Sequence, residues 1–112
     1  MQRHFLVHTG DDVTRVELIG DIDVTLRPDA GHALGTALTA GRPVVLDLRR
    51  VDFLDSSGIG YLLQFRRACA EVQLPCTLEH VPPQVHLVLD TLGLQDYLLG
   101  GTAGDTPLPS PG

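Results

Sequence analysis

Between residues 13 and 19 apolar and polar positions alternate, Val16 and Leu18 against Arg15 and Glu17. A period of two marks a strand with one buried face. Residues 4–9 (His-Phe-Leu-Val-His-Thr) read as a short strand before it, and Gly10-Asp11-Asp12 supplies turn chemistry between them. A hairpin is therefore expected. Gly20-Asp21-Ile22-Asp23 then breaks the alternation. From Leu26 to Leu38 the period lengthens: Leu26, Ala30, Ala33, Leu34, Ala37 and Leu38 recur at helical spacing. Pro28 suits the first turn of such a helix, and Gly41-Arg42-Pro43 stops it. Residues 44–48 (Val-Val-Leu-Asp-Leu) form a nearly continuous apolar run, which predicts a central strand buried on both faces.

Residues 49–54 read as a loop in which Arg49 and Arg50 are a solvated pair. Asp55-Ser56-Ser57-Gly58 then leads into a second helix ending near Val72, with Tyr61 and Phe65 four apart on one face. Residues 75–79 predict another short strand. Pro82-Pro83 open a third helix with Val85, Val88, Leu89 and Leu92 on its buried face and Gly93 at its end, and residues 96–99 add a final short segment. From Gly100 onward seven of thirteen residues are glycine or proline, a composition that predicts a disordered tail over 100–112. No internal repeat is present. Strands alternating with helices after a hairpin imply an α/β domain, a mixed sheet with helices packed on it.

Composition narrows the function. Eight basic against fourteen acidic residues leave a net charge of −6, which speaks against direct binding of nucleic acid or an anionic membrane surface. All the basic residues are arginine, so P-loop, Schiff-base and kinase-type lysine chemistry is excluded. Two cysteines make neither a disulfide framework nor a four-cysteine zinc site; Cys69 and Cys76 are expected as small core residues. His4 and His8 share a strand face without a third ligand at useful spacing, so no metal site is expected. The absence of a long apolar run and the short, polar start predict a cytoplasmic protein without a membrane span.

The most informative stretch is Phe53-Leu54-Asp55-Ser56-Ser57-Gly58-Ile59-Gly60, where a buried strand gives way to a helix. An Asp or Ser here can cap the unpaired amides of the first turn. Two enzymatic patterns fail on the same residues. A nucleophile elbow needs glycine two positions before the serine, where Leu54 and Asp55 stand. A dinucleotide fingerprint needs a third glycine where Leu63 stands. A modified serine is the remaining chemistry: phosphate on Ser56 would sit at the positive end of a helix, among carboxylates at Asp52, Asp55, Asp21 and Asp23.

Gly20-Asp21-Ile22-Asp23, Val44-Val45-Leu46-Asp47-Leu48 and the Val51-to-Gly60 segment together resemble the STAS domain, in particular the bacterial anti-sigma-factor antagonists. The resemblance covers residues 1–99 and leaves 100–112 outside. It implies the STAS fold, a small mixed sheet of four to five strands packed against three to four helices. It also implies a non-enzymatic function without cofactor. In the unphosphorylated state such a protein binds an anti-sigma-factor serine kinase and frees the sigma factor; phosphorylation by that kinase ends the binding, and a serine phosphatase resets it. By the same resemblance Ser56 is the phosphorylated residue and Ser57 the second candidate. Asp21, Asp23, Asp55, Ser57, Gly58, Ile59 and Tyr61 would contact the partner or shape the loop. Position 21 is Asp where the family commonly has Glu, and the second helix lacks the family's lysines, a place that Arg66 and Arg67 are expected to take. The alternative is a STAS subunit supporting the ATPase of a lipid-trafficking ABC transporter, in which a phosphorylatable serine has no task.

Overall fold

A computed structural model describes residues 4–94 and Leu98. Strands β1 (Phe5–Thr9) and β2 (Thr14–Ile22) form the expected hairpin, Phe5 opposite Leu18 and Thr9 opposite Thr14. A single 3-10 turn, Val24–Leu26, leads into α1 (Arg27–Ala40), which carries Pro28 in its first turn and closes on Gly41 in the left-handed conformation. Then follow β3 (Val44–Leu54), α2 (Ser56–Glu71), β4 (Cys76–Glu79) and α3 (Pro83–Thr91). The sheet order is β1-β2-β3-β4; the first pair is antiparallel and the other two are parallel. Successive right-handed crossovers in one direction place α1 and α2 on the same face of the sheet.

Val16, Leu18, Ile22, Val44, Leu46 and Leu48 point from the sheet into a core completed by Ala30, Ala33 and Ala37 of α1 and by Leu62 and Phe65 of α2. The alanines of α1 let that helix lie close to the strands. Val44 to Leu48 are buried throughout, as the apolar run predicts. No described helix covers the outer face of β3. Arg15 does so, spanning Asp47 at 3.2 Å and Glu79 at 3.0 Å. These contacts offset a row of three carboxylates, Glu17, Asp47 and Glu79, set side by side by the strand register.

Two strand boundaries differ from expectation. Residues 20–22 continue β2, and residues 49–54 continue β3 rather than forming a loop. The β2–β3 ladder shifts register between Glu17 and Ile19 and again between Gly20 and Asp21, so β3 gains a residue at each shift. Such bulges break the period of two while the backbone stays paired. Arg49 and Arg50 accordingly stand on a strand, Arg49 against His80 at 2.8 Å and Arg50 against Glu17 at 3.5 Å. His4 reaches the Ile19 carbonyl at 2.8 Å and His8 lies 3.4 Å from Glu17.

On α3, Val85 and Leu89 are buried, but Val88 and Leu92, expected beside them, are exposed. Val88 stands on the flank of the stripe that Val85 and Leu89 bury, and Leu92 is the C-cap residue just past the last helical position, Thr91. Cys69 and Cys76 are buried free thiols in the core. Their mutual hydrogen bond, reinforced by burial, pushes the Cys76 thiol up, and the same hydrogen bond holds Cys69 below its ordinary value against the opposing effect of burial. Of the expected segment 96–99 only Leu98 is described: it is buried, and its amide donates to the Leu94 carbonyl at 3.0 Å. The tail 100–112 lies outside the described residues.

Candidate functional site

The two central strands end side by side, Asp21 opposite Phe53 and Ile22 opposite Leu54. Two chain segments therefore leave the sheet at one edge, each into a helix, and bring Asp21 and Asp23 beside the Asp55–Gly58 turn. The bulge before Phe53 aims Asp52 and Phe53 at solvent, and Val24 on the neighbouring loop is exposed as well.

Capping divides the roles of the residues at the head of α2. The N-cap is Asp55, whose Oδ1 accepts from the Gly58 amide at 3.0 Å, while its own amide donates to the Ile22 carbonyl at 3.3 Å. With the cap supplied by the carboxylate, the Ser56 and Ser57 hydroxyls have no hydrogen-bond partner among the described residues. Ser56 is exposed and Ser57 half-buried. Asp23 plays the same part on the adjacent loop: its Oδ1 accepts from the Thr25 amide at 3.0 Å and from the Thr25 hydroxyl at 2.5 Å. The loops are tied together by Tyr61, whose hydroxyl donates to the Asp23 carbonyl at 2.7 Å.

Gly58, Ile59 and Tyr61, expected at the partner-facing surface, are buried. Their work is beneath the site. Ile59 and Tyr61 fill the space between α2 and the sheet, Tyr61 edge-on to Phe5 with ring centroids 6.3 Å apart. Gly58 lies so near β2 and β3 that a Cβ there would meet Leu54 Cγ at 2.6 Å and the Ile22 carbonyl oxygen at 2.9 Å. That leaves Asp21, Ser56 and parts of Asp23, Asp55 and Ser57 as the accessible surface. Arg66 is also displaced from its expected role. It is 1% exposed and donates to the Cys76 carbonyl at 2.7 Å, so of the two arginines only Arg67 faces out.

Removing the cap tests this arrangement. Asp55→Ala leaves the Gly58 amide without its acceptor and is expected to cost about 1 kcal/mol of stability, read from the urea unfolding midpoint. An unchanged midpoint would mean that the serines can take over the cap and are not free for other chemistry.

No group of three or more His, Cys, Asp or Glu side chains among the described residues is placed to hold a metal ion, and no described helix is long and apolar enough to cross a membrane. The known proteins similar to this chain fit the geometry. An anti-sigma-factor antagonist from Mycobacterium paratuberculosis matches with a TM-score of 0.65 and 25% identity over 84% of this chain and 80% of that one. The Bacillus cell-fate determinant SpoIIAA in its phosphorylated form gives a TM-score of 0.67 at 23% identity, covering 88% of this chain and 91% of that one. The unphosphorylated form of the anti-sigma factor antagonist SpoIIAA gives 0.64 at 22% identity, with 77% and 81% covered. No curated protein matches in sequence. The family model described as "Mlab, STAS domain" matches residues 5–100, nearly the whole described chain, and with the same fold in all three solved structures this protein belongs to the STAS domain family.

Proposed function

We propose that the chain is an anti-sigma-factor antagonist, a non-enzymatic regulator whose unphosphorylated form binds an anti-sigma-factor serine kinase and so frees a sigma factor. Phosphorylation of Ser56 ends that binding, and a serine phosphatase restores it. The observation that carries the reading is the division of labour at the head of α2. Asp55 supplies the cap, so the exposed Ser56 hydroxyl has no structural duty in the described chain. A phosphoryl group there meets the unpaired amides of the first turn and leaves the core untouched. The likeness to a solved anti-sigma-factor antagonist supports the same reading.

Incubation with ATP and an anti-sigma-factor serine kinase is expected to place phosphate on the peptide containing Ser56. The Ser56→Ala chain should take up none. Phosphate that persists in that variant, or that maps to Ser57, would overturn the assignment of Ser56.

A further inference from the structure

The two edges of the sheet are built differently. β4, at one end, is four residues long, follows Pro75 and stops at His80, whose φ of 56° is left-handed. A strand this short and this firmly bounded is a poor template for a further strand. β1, at the other end, runs from Phe5 to Thr9 in unbroken register with β2 and carries no proline, no bulge and no lysine.

Two hydrogen bonds fix which main-chain groups of β1 are spare. The Ile19 amide donates to the His4 carbonyl at 2.9 Å, and the Gly10 amide donates to the Val13 carbonyl at 2.9 Å. Bonded and unbonded pairs alternate along an antiparallel ladder, so Leu6 and His8 turn their groups toward β2. Phe5, Val7 and Thr9 turn theirs outward, where no described strand lies. The Thr14 amide agrees in phase: opposite Thr9, it donates to the Pro43 carbonyl at 2.8 Å, on the β3 side. Leu6 and Val7 are only half-buried.

We infer that β1 pairs with β1 of a second copy of this chain, antiparallel about a two-fold axis through Val7. The spare groups are then self-complementary: Val7 bonds Val7 of the other copy, and Phe5 bonds Thr9 in both directions. Continued along the sequence, the same register sets Arg3 of one copy against Asp11 of the other, opposite charges on each side of the axis. The helices allow the approach. α1 packs over β1 and β2, and its Arg27 faces α2 across a groove shared with Gly60, Tyr61 and Gln64. Thr36, nine residues later, stands half a turn around on the opposite flank, and Ala40 lies one turn beyond it. Neither is long enough to hold off the α1 of a second copy. The serine site lies at the ends of β2 and β3, so this pairing stands or falls separately from the switch at Ser56.

Sedimentation of the full chain over a range of concentrations is expected to show a species of twice the 12.1 kDa chain mass. Amide exchange should slow at Val7 and Thr9 as concentration rises, while Leu6 and His8 are protected throughout. Val7→Pro removes an amide that the chain's own sheet does not use. Loss of the paired bonds at the axis corresponds to about thirtyfold in the dissociation constant. Thr9→Pro, at the exposed end of the strand, should weaken pairing as well, and separates that effect from any fold defect at Val7. Arg3→Asp should also weaken it, and adding Asp11→Arg should restore it. A monomer at every concentration, pairing retained by both proline variants, or edge amides protected in a monomer by another part of the same chain would overturn the proposal.

Discussion

Ser56→Asp is expected to weaken binding to the partner kinase by on the order of a thousandfold, with little change in the stability of the domain. The two effects separate because Ser56 is exposed in the free chain. There a negative charge at a helix N-terminus is solvated and gains only about 0.3–1 kcal/mol from the helix dipole. In the proposed complex the same charge would lose its water beside Asp21, Asp23 and Asp55. An added charge about 4 Å from a like charge costs about 4 kcal/mol at an effective dielectric of 20. That is close to a thousandfold in the dissociation constant. Asp55 cannot turn away to relieve the crowding, since its carboxylate holds the Gly58 amide at 3.0 Å.

Titration calorimetry with wild type, Ser56→Ala and Ser56→Asp reads the binding, and urea unfolding reads the fold. The alanine variant should bind like wild type. Equal affinity of all three for the anti-sigma-factor kinase would end the switch reading. Equal affinity of all three for a transporter ATPase would support the lipid-trafficking alternative, with Ser56 as an ordinary helix residue.

Gly58→Ala should lower the unfolding free energy by a net of about 2 kcal/mol. Its Cβ would land 2.6 Å from Leu54 Cγ and 2.9 Å from the Ile22 carbonyl oxygen, nearer than real Cβ atoms come. Leu54 is buried and has little room to retreat. The Ile22 carbonyl is backbone and already accepts the Asp55 amide. The head of α2 must therefore lift, straining both the Asp55 cap and the Tyr61–Asp23 bond. Overpacking of this kind costs about 1–3 kcal/mol, and at the upper end the helix propensity of alanine returns only about 1 kcal/mol.

A melting point about 8 °C lower would report that balance. Gly60→Ala is the internal control, since it gains the propensity without the clash and should move the melting point upward. Two glycines two residues apart thus respond with opposite signs. A Gly58→Ala chain as stable as wild type would show that α2 can shift away from the sheet without strain, and that the serine loop is not held by this contact.

The pattern along the chain already carries the hairpin, the buried central strand, three helices and the place of the serine segment at the start of the second. Each of these rests on local physics: a period of two or near four, proline at a helix start, glycine at a helix end. The resemblance read from residues 20–23, 44–48 and 51–60 agrees with the family found over residues 5–100. The ends of β2 and β3 were not legible, because the bulges between Glu17 and Ile19 and between Gly20 and Asp21 break the alternation and only the pairing of the two strands keeps them extended.

The roles of individual site residues depended on tertiary contacts for the same reason. Local sequence places Ser56, Asp55 and Tyr61 near one another but cannot distinguish cap, exposed hydroxyl and buried brace. Arg66 and Arg67 are adjacent and chemically identical, yet the turn of the helix sends the first into the core and the second to solvent. Amino-acid type and local periodicity, then, determined which elements form and where the chemistry lies. Packing of those elements on the sheet decided which groups are left without a partner inside the chain, since burial and pairing depend on residues distant in sequence.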